Sequence, residues 1–80
     1  MNNNKIQNNL ETDDFTMGDT VKYLKMIDNF GKPIYKHAEV VGIYHGVGTI
    51  DIFDPEGLGN RSAHRPWDLE IFSKKGISNG

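Results

Sequence analysis

From Thr49 to Asp54 the chain reads Thr-Ile-Asp-Ile-Phe-Asp, with Ile50 and Ile52 on one side of a two-residue repeat and Asp51 on the other. That period belongs to a half-buried β-strand; a helix would need apolar residues three and four apart. The same alternation recurs in residues 20–27, where Val21, Tyr23 and Ile27 interleave with Lys22 and Met26, and in residues 67–72, where Trp67, Leu69 and Ile71 interleave with Asp68 and Glu70. Residues 38–44 are apolar and β-branched, and the two glycines of His45-Gly46-Val47-Gly48 suit a tight hairpin joining them to residues 49–54. Asp28-Asn29-Phe30-Gly31-Lys32-Pro33 concentrates turn formers, and Asp54-Pro55-Glu56-Gly57 is a type I or II turn signature. Residues 58–66 read as a polar loop without regular structure. Short strands at close spacing with hardly any helical period predict an all-β fold, a small antiparallel barrel or bent sheet of four to five strands.

At 80 residues only one such domain fits, and a chain this size buries too little surface to enclose a deep cavity easily. Residues 1–16 open with five Asn in nine positions and carry few apolar side chains, which predicts a disordered acidic tail; residues 17–73 form the domain and 74–80 a flexible end. Lys5 against Glu11, Asp13 and Asp14 gives the tail a charge of −2, which is the net charge of the whole chain. The domain is therefore neutral and lacks the basic excess typical of nucleic-acid binders. There is no Cys, no run long enough to span a membrane and no export signal, so the expected setting is cytoplasmic, without a membrane partner.

The Gly18-Asp19-x-Val21 opening resembles the first strand of SH3-like and KOW-like domains, where a Gly-Asp turn leads an inward Val. Ala38-x-Val40-x-x-Ile43 followed by Ile50-x-Ile52-Phe53-Asp54-Pro55-x-Gly57 is similar to small bacteriophage proteins that share this pattern. The likeness covers about residues 18–57 and implies an SH3-like barrel of phage origin, in the host cytoplasm. It carries no catalytic motif.

Arg61, His64, Arg65 and Trp67 fall within one short stretch, combining guanidinium, imidazole and indole groups. Arg and Trp are the side chains enriched at protein-interface hot spots, and the same pair contacts phosphate and stacks on bases in single-stranded nucleic acid. A neutral domain favours the protein partner, host or viral, with nucleic acid as the alternative through Arg61, Arg65 and the lysines 22, 25, 32 and 36. Phe30 and Tyr35, read as members of the first long loop, would complete an aromatic docking surface if they lie near Trp67. A third class, a structural subunit, predicts a homo-oligomer formed through an unpaired strand edge. His37, His45 and His64 are too far apart in sequence for a metal-ligand motif. Asp51, Asp68 and Glu70 fall on polar strand faces, and Ser62 with His64 has no orienting acid in view. No catalytic residue, metal or cofactor is expected, and the chain reads as a non-enzymatic protein-binding module.

Overall fold

The computed structural model describes Ile6, residues 8–56 and residues 61–75. The strands are β1 (Thr20–Ile27), β2 (Pro33–Tyr44), β3 (Thr49–Phe53), β4 (Arg61–His64) and β5 (Glu70–Ser73). They form one antiparallel sheet in the order β4-β3-β2-β1-β5, so a four-strand meander is completed by a fifth strand that returns beside the first. The all-β expectation holds. The sheet is not closed into a barrel, because β4 and β5, with four residues each, are its two edges.

Pairing puts Val21 opposite Ala38 and Ile71, and Val40 opposite Ile52, so one face of the sheet is apolar. Val21, Val40, Ile50, Ile52 and Leu69 are essentially inaccessible to solvent. Each such side chain contributes about 1.5–3 kcal/mol of burial. The register slips between Leu24 and Met26 in β1 and between Val40 and Gly42 in β2. An extra residue on one strand increases local twist, and two such bulges bend the sheet around its core.

Several boundaries differ from expectation. β2 starts at Pro33 and not at Ala38, since Pro at the first strand position leaves the rest of the ladder intact. The expected polar loop contains β4, which has no apolar alternation of its own and owes its form to the free edge of β3, where Ser62 pairs with Ile52 and Ala63 with Asp51. The predicted strand over 67–72 begins only at Glu70, because Pro66–Asp68 is a 3-10 turn. Residue 17 is not a boundary either. Phe15 is buried in the core, Leu10 packs against it, and the Asn8 side-chain amide donates to the Leu69 carbonyl just before β5. Ile6 lines a cavity with Leu24, His64 and Asp68, beside the end of β4 and the 3-10 turn that follows it. Residues 1–5 and 7 of the expected tail, Gly57 of the expected turn, residues 58–60 of the expected loop and residues 76–80 of the expected flexible end lie outside the described residues.

The chain ends are tied together at Asp19, which is fully buried. Its carboxylate accepts hydrogen bonds from the backbone N–H of Thr16 (2.8 Å), the N–H of Lys75 (2.8 Å) and the Lys74 ammonium (2.9 Å). Lys74 also donates to the carbonyl of Asp14, so the expected flexible end is anchored at its first residue. Gly18 precedes this carboxylate with φ +90°, and a Cβ there would come within 2.9 Å of the Lys75 side chain. Burial raises the Asp19 pKa, but the Lys74 ammonium and the two amides outweigh it and hold the carboxyl below its ordinary value. A depressed carboxylate stabilises the fold above the unfolded pKa and loses that contribution as pH falls through the folded one. Asp19→Asn should therefore lower unfolding free energy at neutral pH by about 2–3 kcal/mol, and Lys74→Met, at a partly exposed position, by about 1 kcal/mol. Urea titrations should show the Asp19→Asn gap narrowing as pH falls below the ordinary carboxylate range and through the depressed Asp19 pKa.

Candidate functional site

β4 delivers the chain to a corner built on alternating exposure. In a 3-10 turn residues three apart share a side, so Pro66 and Leu69 both enter the core and Trp67 between them is left outside, 49% exposed. Successive hydrogen bonds, Asp68 N–H to the Arg65 carbonyl and Leu69 N–H to that of Pro66, hold this turn. Arg65 donates from Nη1 to the carbonyls of Val47 (2.9 Å) and Gly48 (3.2 Å) in the β2–β3 turn, and its guanidinium lies 5.9 Å from the centre of the Trp67 ring. Gly48 has φ +83°, and a Cβ there would meet Arg65 Nη1 at 3.1 Å. A side chain at residue 48 would thus be strained in backbone and crowd the arginine. Val47 is exposed beside the carbonyls that Arg65 holds. In the same turn His45 Nδ1 lies 2.9 Å from Thr12 Oγ1 and 3.2 Å from Asp13 Oδ1, so the N-terminal stretch closes one side of the corner.

The remaining residues expected at a docking surface separate. Arg61 lies on the outer face of β4 and donates to the Val41 carbonyl and to Asp51 Oδ2, each at 3.3 Å. His64 points inward, 5.9 Å from the Tyr23 ring centre and 2.9 Å by Nε2 from Ser62 Oγ. Tyr35 is in β2 and not in a loop, opposite Leu24, with the Lys22 ammonium 4.9 Å from its ring centre. Phe30 sits in the β1–β2 turn and is 93% exposed, so it rests against almost nothing and is not packed beside Trp67.

A second polar group occupies the inner face, unannounced by any motif. The Tyr23 hydroxyl donates to Asp54 Oδ2 at 2.6 Å, and Asp54 Oδ1 accepts the Glu56 N–H at 2.9 Å, capping the turn after β3. An open cavity of about 300 Å³ adjoins the pair, lined by Lys25, Met26, Arg61 and Ser62 as well. The Tyr23 hydrogen bond is the main influence lowering the Asp54 pKa; burial opposes it, while the Glu56 amide, Lys25 and Lys36 assist. Burial first and the Asp54 carboxylate second push the Tyr23 hydroxyl up to about 12. Burial also lowers the His64 pKa against the pull of Asp68 and Asp51. Ser62 and His64 are within proton-transfer reach, but such a pair attacks a carbonyl only when an acid fixes the imidazole and donors await an oxyanion. Among the described residues no carboxylate bonds the other His64 nitrogen. Nor do three or more His, Asp or Glu side chains among them converge as metal ligands, and no helix is long and apolar enough to cross a membrane.

Comparison of the chain with protein-family models, with curated proteins and with solved structures finds no match.

The Tyr23–Asp54 bond should be visible in an alkaline titration. The phenolate absorbance step lost on Tyr23→Phe should come near pH 12 and not 10. Because this pKa is raised on folding, the bond stabilises fully below the unfolded value and its contribution disappears as pH climbs from 10 to about 12. Tyr23→Phe should cost about 1 kcal/mol at neutral pH and let the Asp54 pKa rise.

Proposed function

We propose that this protein is a non-enzymatic protein-binding module of phage origin, an open SH3-like barrel that docks on a host or viral protein in the cytoplasm. The observation that carries the reading is the Arg65–Trp67 corner: a half-exposed indole on a short hydrogen-bonded turn, braced by a guanidinium that grips two carbonyls of the neighbouring hairpin. A large aromatic held rigid before binding loses little conformational entropy on contact, which is what an interface anchor requires. Val47 extends the apolar area, and the docking surface contracts to Arg65, Trp67 and Val47, with Arg61, His64 and Tyr35 held elsewhere. A meander whose last strand returns beside the first, with a 3-10 turn before it, supports the SH3-like reading of the scaffold.

Electrostatics favours a protein over nucleic acid. Arg61 is paired with Asp51, Lys22 with Glu70 at 3.8 Å and Lys74 with Asp19, while both Arg65 contacts go to this chain's own carbonyls. Phosphate binding draws its affinity from cations that release counterions on contact; these four are engaged and Lys25 and Lys36 face Asp54, in a domain without net positive charge.

Affinity capture from a bacterial lysate, with half of each sample treated with nuclease, tests this. A specific protein should be retained equally with and without nuclease, and Trp67→Ala should lower its affinity at least about tenfold. About half of the indole packs against the chain, so the unfolding midpoint of Trp67→Ala is measured alongside and should stay above the assay temperature, which separates loss of binding from loss of folding. Nuclease-sensitive retention, or capture indifferent to Trp67→Ala, would sink the proposal.

A further inference from the structure

Ile6 belongs to no strand, yet with Leu24, His64 and Asp68 it lines a cavity of about 180 Å³ in which the imidazole is half-buried. The groups around that imidazole are held with very different firmness. Leu24 and Tyr23, whose ring centre lies 5.9 Å from that of His64, are fixed in the β1–β2 ladder. Ile50, opposite His64, and Asp51 stand in β3, which is paired on both sides. Asp68 lies in the 3-10 turn closed by two backbone hydrogen bonds. Ile6 has no such frame: the described hydrogen bond nearest to it that reaches across the fold is the one from the Asn8 side-chain amide to the Leu69 carbonyl. From Leu10 onward the chain is fastened better, since Leu10 packs against the core, His45 meets Thr12 and Asp13, and Phe15 is buried.

We propose that Ile6 and Asn8 form an acid-released strap: Ile6 covers the neutral His64, and protonation of that imidazole frees both residues while the chain from Leu10 onward stays in place.

The charge on the ring decides the direction. Nε2 of His64 is engaged with Ser62 Oγ at 2.9 Å, and among the described residues no carboxylate stands in hydrogen-bond contact with the ring to take the second N–H that protonation adds. Asp68 and Asp51 attract an imidazolium, but burial outweighs them and holds the pKa below its ordinary value. A group whose pKa is depressed by its cover binds protons better once the cover leaves, so acid favours uncovering. The closed arrangement is fully favoured above the ordinary value of 6.5 and loses that preference as pH falls through the depressed one. Moving Tyr23, Leu24 or Asp51 would break ladder hydrogen bonds, and Ile6 is the cover that leaves at least cost. The other end of the stretch responds in the opposite sense. A protonated His45 faces Asp13 at 3.2 Å as an ion pair, so acid tightens Thr12–Asp14 against the β2–β3 turn. Asp19 stays ionised in this range and keeps its clamp. The inference is independent of any docking at Trp67.

Methyl and imidazole NMR of the full chain between about pH 7.5 and about pH 5 reads both partners. The Ile6 methyl signals should move to their random-coil positions with the midpoint of the His64 ring, below 6.5, while Leu10 and Phe15 keep their folded shifts. In His64→Gln, neutral at every pH, the Ile6 response should vanish; in His45→Gln it should persist. Ile6→Ser should raise the His64 midpoint toward 6.5, the reciprocal effect that linkage demands. A His64 titration that leaves Ile6 in place, an Ile6 response that survives His64→Gln, or an unchanged His64 midpoint in Ile6→Ser would overturn the proposal.

Discussion

The buried carboxylate of Asp19 joins the N-terminal stretch, which lies outside the strands, to the paired β1 and β5. It sits at the start of β1, takes an amide from the N-terminal stretch and receives both an amide and an ammonium from beyond β5. The N-terminal stretch belongs to no strand, so the ladders of the sheet alone do not fix it. Asp19 supplies the constraint, and Phe15 follows into the core four residues earlier. Burial works against the charge, but three donors in hydrogen-bond contact outweigh it. A domain this small has little apolar surface with which to hold such a segment, and a local charged clamp does so with few residues.

The same economy governs the surface. Arg61, Lys22 and Lys74 each meet a carboxylate of this chain, and Arg65 meets carbonyls, so much of the positive charge is used in holding strands and turns. Tyr23 and Asp54 play the corresponding part on the inner face, where a hydroxyl and a carboxylate meet at the bend created by the β1 bulge. Burial of the Tyr23 hydroxyl and then its hydrogen bond to Asp54 raise the one pKa, and the same hydrogen bond lowers the other.

Strand β1 and the body of β3 were legible because each carries its own two-residue period. β4 was not, since Arg61-Ser62-Ala63-His64 has no such period and becomes a strand only when β3 offers an edge. The period also misleads at Trp67: alternation with Leu69 and Ile71 would turn it inward, but Pro66 starts a three-residue turn that reverses its side. Phe15 was obscured by the polar residues around it, although an aromatic just before Gly18-Asp19 was a usable signal. For the candidate site, spacing brought Arg65 and Trp67 to attention and could not show that Arg61 and His64 point to opposite faces, or that Tyr35 lies within β2. The Tyr23–Asp54 contact, 31 residues apart in sequence, had no local signal at all.

Trp67 and Phe30 are each held outside by the turn that carries them. Each lies on a turn closed by hydrogen bonds, one through Pro66 and Arg65, the other through the Asp28 carboxylate. An apolar side chain left outside by poor packing would sit on a turn free to fold it back against the sheet, gaining burial as it did so. Here the turns prevent that relaxation, so the exposure is imposed by geometry.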